Sequence, residues 1–233
     1  MASEPGLLSC LCVTEERAAF MPWLLWNYAK QDHPQRELVV VDGSSPPLEP
    51  PDPAVRIVRC PPGTSVARKR NLAVDAAQGE LLAWFDDDDW QHPRRLSILA
   101  GALGDDGVLA GGDRGWFVDL HRGLARPYDA RRGVIFNGLA VRRAALGDVC
   151  FDERRQRAAD TEWVSAIRRG TRSRVCVVPE VLSCWLCHHA NLSNPASRHV
   201  FAHPLADVAR AVGADAWADT EEQLAQLRLR LAG

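Results

Sequence analysis

Long apolar runs are missing from this chain. No stretch approaches the roughly 20 consecutive apolar residues that a membrane-spanning helix needs, so no span is expected. The opening residues, MASEPGLLSCLCV, carry no basic segment ahead of their short apolar run, and a secretory signal is not expected either. An excess of one charge is also lacking: 28 Lys and Arg against 30 Asp and Glu leave a net charge of −2. No global field therefore recruits nucleic acid or an anionic membrane. Low-complexity sequence is confined to one proline-rich loop, SSPPLEPPDPA, and no internal repeat is present. The seven cysteines are an odd number, and Cys10 and Cys12 alternate inside a strand-like run. That pattern fits buried thiols in a reducing compartment better than a disulfide framework. These absences predict a soluble, cytoplasmic protein.

What is present has the composition of an ordinary globular domain, 46% apolar and 25% charged. The first half alternates strand-like and helix-like segments. LLSCLCV (7–13), ELVVVDG (37–43), VRIVR (55–59) and ELLAWF (80–85) read as strands. Between them, ERAAFMPWLLWNYAKQ (16–31) and SVARKRNLAVDAAQ (65–78) have helical spacing, the second with Gly79 as its expected C-cap. Such alternation predicts an α/β fold with a Rossmann-like, mostly parallel central sheet flanked by helices, whose ligands bind beyond the carboxyl ends of the strands. Asp42 and Asp86–Asp89 fall on that edge. The second half is less regular. VLAGG (108–112), WFVDL (116–120) and VIFNGLAVRR (134–143) read as strands, a smaller second sheet is expected in this half, and DTEWVSAIRRG (160–170) reads as a helix with Gly170 behind it. RVCVVP (174–179) reads as a closing strand and TEEQLAQLRLRLAG (220–233) as an amphipathic helix. The expected division is one domain over 1–202, split near residue 100, with a helical tail over 203–233.

The stretch LLAWFDDDDWQHPRRL (81–96) sets four aspartates in a row behind an apolar run. Adjacent carboxylates repel one another unless a cation sits among them. Hard cations such as Mg²⁺ and Mn²⁺ prefer oxygen, and Mg²⁺ characteristically takes one or two carboxylates together with phosphate oxygens and water. An Asp-x-Asp-Asp cluster at a strand end suits a metal that in turn holds a diphosphate.

The surroundings sharpen this reading. KRNLAVDAAQGELLAWFDDDD (69–89) resembles the segment that in family 2 glycosyltransferases of the GT-A fold runs A-R-N-x-G-x-x-x-A-x-G-E, four apolar residues, then D-x-D-D. Arg70, Asn71, Ala77, Gly79, Glu80, Asp86, Asp88 and Asp89 fall in register without a gap. VVVDGSS is similar to the family's V-V-D-D-G-S, with Asp42 at its second aspartate. LLSCLCVTEER resembles the opening strand that ends P-T-x-N-R, FDERRQRAADTEW the stretch F-D-E followed by E-D-x-E-W, and CHHANLSN the closing H-x-x-N-x-S. The resemblance runs over roughly residues 7 to 194.

It implies a metal-dependent, inverting transfer of a sugar from a nucleoside-diphosphate donor to an acceptor hydroxyl, with residues 1–100 as the donor half and 101–202 as the acceptor half. By the same resemblance Thr14, Glu15, Arg17, Asp42, Arg70, Asn71, Asp86 and Asp87 bind the nucleotide sugar, and Arg68-Lys69-Arg70 faces its phosphates. Asp88 is the expected direct ligand of Mn²⁺ or Mg²⁺, with His188 preferred over the adjacent His189 as the nitrogen ligand. Asp160 is the expected general base, with Glu162 in reserve, and Trp163 is a candidate acceptor platform or a core residue. A UDP-sugar is favoured, with GDP and dTDP open. The acceptor is a small molecule, a cell-envelope intermediate or a protein side chain, and a homodimer is left open. Departures occur at Val13 and Glu16, where the family has proline and asparagine, and at Lys69 and Ala159, where it has alanine and glutamate. Two other classes compete. A sugar nucleotidyltransferase would want a glycine-rich loop after the first strand, and CVTEERAAF has no glycine. A non-catalytic nucleotide- or carbohydrate-binding relic has no need of both Asp88 and Asp160. Cys184-x-x-Cys187-His188 also spells a haem-attachment pattern, which needs export. A zinc site from Cys150, Cys184 and Cys187 lacks a second Cys-x-x-Cys pair.

Overall fold

A computed structural model describes residues 6–49, 52, 55–130, 133–155, 159–171, 175–188 and 200–232. Along the chain these form β1 (Leu8–Thr14), α1 (Met21–Ala29), β2 (Arg36–Asp42), β3 (Val55–Arg59), α2 (Val66–Ala76), β4 (Leu81–Trp84), β5 (Trp90–Gln91) and α3 (Arg95–Leu103). There follow β6 (Leu109–Gly112), β7 (Arg114–Asp119), β8 (Leu124–Asp129), β9 (Leu139–Arg142), α4 (Ala159–Thr171), β10 (Val175–Val178) and β11 (Ser183–Cys187). The chain ends with β12 (His203–Pro204), α5 (Leu205–Val212), α6 (Ala214–Trp217) and α7 (Thr220–Ala232).

Among the described residues the main sheet has the order β10-β6-β9-β4-β1-β2-β3, parallel except where β9 runs against both neighbours. Its central strands are buried on both faces, which is why they read as unbroken apolar runs. Along β1, Leu8, Cys10 and Cys12 enter a core with Leu24, Leu96, Leu99 and Leu103 of α1 and α3. Leu11, between them, faces the opposite core, with Ala67 and Ala73 of α2 and Trp163 and Ile167 of α4. The second sheet has the order β12-β8-β7-β11-β5. One of its faces carries Val118, Ala125, Cys184 and Leu186 against Trp90, Val208, Leu224 and Leu227. The tail expected to be helical over 203–233 carries three helices, the expected amphipathic helix over 220–233 being α7, and their apolar sides close the core of the second sheet. No helix among the described residues is long and apolar enough to cross a membrane, and all seven cysteines are free thiols.

Several expectations are corrected. Gly79 does not cap α2, which ends at Ala76 with Ala77 extended (φ −64°, ψ 146°). Glycine is required there for a different reason: a Cβ would lie 2.6 Å from Ser9 Oγ and 2.7 Å from Leu7 O. The helix expected over 16–31 starts late, because Glu16 has φ 54°, a left-handed conformation costly for a long side chain. Ser44 Oγ accepts from Glu16 N (2.8 Å) and the Glu16 carboxylate accepts from Ser45 N (2.6 Å), fixing that conformation. The strand expected over 134–143 is limited to β9, with a 3-10 turn at Phe136–Gly138 ahead of it. Gly170 lies inside α4 and not behind it.

Candidate active site

β4 ends at Trp84, and the chain turns through Asp86–Asp89 at the carboxyl edge of the main sheet, held by Phe85 N donating to Leu11 O (2.8 Å). Three of these aspartates are buried: Asp87, Asp88 and Asp89 are 1%, 9% and 3% exposed. Their counter-charge comes from the protein itself. The Arg17 guanidinium pairs with Asp87 Oδ1 (2.9 Å) through Nη1 and with Asp88 Oδ2 through Nη2. Thr14 Oγ1 donates to Asp87 Oδ2 (2.6 Å), and Asn137 Nδ2 donates to Asp89. Behind the loop the fully buried Arg95 donates to Trp84 O (2.5 Å), to Gln91 and to Leu139 O (3.3 Å).

Burial and charge divide the four carboxyls. Burial pushes Asp87 up to about 7 against the pull of Arg17. Burial, reinforced by Asp88 and Asp86, raises Asp89 well above the usual range, and burial also raises Asp86 although Arg70 opposes it. At Asp88 burial is outweighed by the hydrogen bond from His188 and by Arg17, and the carboxyl is held below its ordinary value. Asp88 is therefore the fixed anion of the cluster.

A cavity of about 1010 Å³ opens in front of this loop. Thr14, Glu15, Arg17 and Arg70 line it together with Asp86, Asp87 and Asp88, and Asp160 lines it from α4. Lys69 also reaches the cavity and pairs with Glu15, whose carboxyl is lowered by that hydrogen bond. Arg70 is held differently. Its guanidinium carbon lies 4.4 Å from the Phe136 ring centre, 5.4 Å from that of Phe151 and 5.5 Å from that of Trp84. Among the described residues its buried Nε has no hydrogen-bond partner. Aromatic faces position this cation without neutralising it.

Other candidates stand elsewhere. Asp42 is buried and organises the following loop, accepting from Ser44 N and Leu48 N (2.9 Å each) and pairing with Arg59. Burial would raise its carboxyl, but these hydrogen bonds and Arg59 lower it. Asn71 clamps Phe151, donating to its carbonyl (3.0 Å) and accepting from its N–H (2.8 Å). Arg68 pairs with Glu153 (3.2 Å) on the surface and does not line the cavity. Glu162 is exposed and faces Arg155 (3.6 Å). Trp163 is no platform: it is 2% exposed and stacks on Phe151 at 4.7 Å. His189, Asn191 and Ser193 of the closing pattern lie outside the described residues.

His188 sits behind Asp88, buried, with its Nε2 3.3 Å from Asp88 Oδ2 and 3.3 Å from Arg17 Nη2. A carboxylate and an imidazole converge where a guanidinium now lies. That donor set fits a divalent cation whose shell is completed by diphosphate oxygens and water. It is incomplete alone: among the described residues no group of three or more His, Cys, Asp and Glu is arranged to hold a metal.

The motif reading did not reach Arg95 or Asn137, nor Phe117, Tyr128 and Trp185 of the second sheet, which also line the cavity. For Arg95 the signal was a charged residue directly before a run of helical apolar spacing.

Residues 10–119, just under half of the chain, match the profile described as Glycosyl transferase family 2. No curated protein matches the sequence. Among solved structures, Staphylococcus aureus TarS 1-349 is similar at 18% identity and a TM-score of 0.59, covering 77% of this chain and 60% of that one. TarS 1-349 in complex with UDP-GlcNAc is similar at 18% identity and a TM-score of 0.53, covering 83% of this chain and 62% of that one. The mannosyltransferase PcManGT from Pyrobaculum calidifontis, in complex with GDP-Man and Mn²⁺, is similar at 16% identity and a TM-score of 0.59, covering 99% of this chain and 75% of that one. The chain thus spans about 60% of the length of the TarS structures it matches. Residues 10–119 thus match glycosyl transferase family 2, and the chain that carries them has the GT-A fold.

Proposed function

We propose that the chain is an inverting glycosyltransferase that takes its sugar from a nucleoside diphosphate, with Asp160 as general base. The observation that carries this reading is the sharing of one cavity by the Asp86–Asp88 loop and by Asp160. At about 1010 Å³ that cavity is at the upper end of small-molecule sites, room for a donor and an acceptor together. Relatives in complex with UDP, UDP-GlcNAc and GDP-Man support a nucleotide-sugar donor, and UDP remains the favoured nucleotide.

Thr14 and Glu15, at the carboxyl end of β1, meet the base and ribose, while Asp86 and Asp87 meet the ribose and the sugar. Asp42 and Asn71 act from behind: Asp42 fixes the loop after β2, whose Ser44 and Ser45 hold Glu16, and Asn71 fixes Phe151 beside Arg70. Lys69 and Arg70 face the diphosphate, and Arg70, held by aromatic rings, has donors to give it. Asp88 and His188 would hold Mn²⁺ or Mg²⁺; when bound, the ion offsets the negative charge on the departing diphosphate. The acceptor hydroxyl attacks the anomeric carbon from the face opposite the diphosphate. As that bond forms, the hydroxyl proton passes to an Asp160 carboxylate oxygen and the bond from the anomeric carbon to the phosphate oxygen breaks. Glu162 is the second choice for the base, since it is exposed and paired with Arg155.

The test is a melting-temperature panel with UDP, GDP and dTDP, each with and without Mn²⁺. One nucleotide should raise the melting temperature, much more with Mn²⁺ than in EDTA, because each ligand completes the other's site. The matching nucleotide sugars are then tested as donors. Stability unmoved by any nucleoside diphosphate would overturn the reading.

A further inference from the structure

The turn that carries the aspartates is held from behind by a cation in a costly place. Arg95 opens α3 and is 0% exposed, and its guanidinium meets neutral groups. Nη2 donates to Trp84 O (2.5 Å) and Leu139 O (3.3 Å), and Nη1 donates to Gln91 Oε1. Among the described residues no carboxylate pairs with it, and its buried Nε has no hydrogen-bond partner. A guanidinium without an anion in contact has lost its hydration. The first turn of a helix is also the positive end of its dipole, where cations are disfavoured. Packing alone would be served by an apolar side chain of similar volume, without either cost. The positions of the three acceptors supply the reason for the charge. Trp84 ends β4, just before the aspartates, and Gln91 lies just after them. Leu139 opens β9, directly behind the turn from which Asn137 donates to Asp89. One guanidinium thus ties the entry and the exit of the aspartate turn to the segment that supplies Asn137. Trp23 and Asn27 of α1 also hold the turn, through Asp89 O (3.1 Å) and Gln91 N (2.9 Å), but each at a single point. Asp86 and Asp89 attract the Arg95 charge through space without touching it, which favours a cation there over a neutral donor.

We propose that Arg95 is a positioning residue for the donor site, presetting the Asp86–Asp89 turn from behind so that its carboxyls line the cavity before metal or diphosphate arrives. A planar fork of five N–H donors reaches three acceptors at once, which a lysine ammonium on a flexible stem does not match. The clamp on the turn stands on these contacts. That the turn then takes a metal and a diphosphate rests on the transferase reading.

The test uses the full chain with Arg95→Met and Arg95→Lys, and with Leu99→Ala as a control that removes core packing from α3 one turn further along. Hydrogen exchange is followed by peptide mass spectrometry over residues 85–91, and Mn²⁺ binding by electron paramagnetic resonance with UDP and with GDP. In Arg95→Met, exchange over 85–91 should rise more than in β1 and β2. Mn²⁺ with nucleotide should bind about tenfold or more weakly, the usual cost of losing a group that orients metal ligands. Leu99→Ala should lower the melting temperature while its Mn²⁺ affinity stays within about twofold, as expected of a site that shares no partner with the turn. Arg95→Lys should stay close to Arg95→Met, because it restores the charge and not the fork. Recovery to wild type in Arg95→Lys overturns the proposal, as do exchange and binding in Arg95→Met no different from those in Leu99→Ala. Should Arg95→Met not fold, Gln91→Met removes one acceptor at similar length and should move both readouts the same way by a smaller factor. No movement there overturns the clamp. A wild type that binds Mn²⁺ with neither nucleotide overturns the transferase reading, and exchange over 85–91 then decides the clamp by itself.

Discussion

The two walls of the cavity are built on opposite principles. The donor-side wall, from the loops after β1 and β4 and the first turns of α2, is charged and largely buried, and apart from Arg70 its cations are already paired within the chain. The wall from β7, β8 and β11 is aromatic and half-exposed, and its rings meet one another. A charged wall in a low-dielectric site must be compensated before any ligand arrives, because uncompensated buried carboxylates are costly. An aromatic wall carries no charge and needs no such compensation. A ligand on the first wall must therefore exchange ionic partners, while a ligand on the second needs only to displace water.

The sharpest way to separate the walls is Asp160→Asn. The side chain lines the cavity from α4, and the amide keeps its size. Transfer should fall about 10²–10⁴-fold, the usual cost of losing a general base. Nucleotide affinity, set by the other wall, should be unchanged in a titration. Transfer near the wild-type rate would move the role to Glu162, tested by Glu162→Gln.

Arg17→Ala breaks the charged wall. Asp87 and Asp88 lose the guanidinium that pairs with both, and removing one partner of a buried ion pair costs about 3–5 kcal/mol. With 17% of the Arg17 side chain exposed, a value of about 3 kcal/mol is expected in denaturant melts without metal. Mn²⁺ should recover much of that loss in the variant and add less to the wild type. An unchanged melt in EDTA would mean that the cluster does not depend on Arg17.

The same contrast explains what the sequence made legible. β1, β2 and β4 contain near-continuous apolar runs because both faces are buried, and Asp86–Asp89 announce themselves by sheer density. Their counter-ions do not, because Arg17 lies 71 positions before Asp88, and only the sheet order brings the loops together. β8 escaped notice because LARPYD is polar and carries Pro127, which argues against a paired strand. α3 was missed although its stop signal was present in Gly104, with φ 47° at the helix end. β11 was hidden inside a cysteine pattern read for metal or haem. The aromatic wall has no motif at all, since Phe117, Tyr128 and Trp185 meet only through strand register.

Arg70→Ala probes the border between the walls, since the guanidinium rests on Trp84, Phe136 and Phe151 and opens to the donor side. Loss of a charge-assisted phosphate contact worth about 1.5–3 kcal/mol should raise the donor KM about tenfold or more. The KM for the acceptor should stay put. An effect on the acceptor alone would place the cation on the wrong wall.

The smallest expected effect is a pH slope that belongs to the charged wall alone. Asp87 titrates near 7 in the folded protein because burial outweighs Arg17, against about 3.9 when unfolded. Between those values the folded state keeps a proton that the unfolded chain has released, so stability falls as pH rises and levels off above the folded value. From pH 6 to pH 8 the loss for one such group is about 1.4 kcal/mol, or roughly 3–5 °C in melting temperature for a domain of this size. Asp89 and Asp86, raised by burial as well, add in the same direction. Asp87→Asn should flatten much of the slope, and a nucleoside diphosphate with Mn²⁺ should flatten it too, by stabilising the ionised cluster. Trp185→Ala, which removes no proton-exchanging group, should leave the slope as it is. A wild-type melting temperature that is level from pH 6 to pH 8 in EDTA would show that the aspartates are already ionised and fully compensated, and the distinction between the two walls would then rest on Arg17 alone.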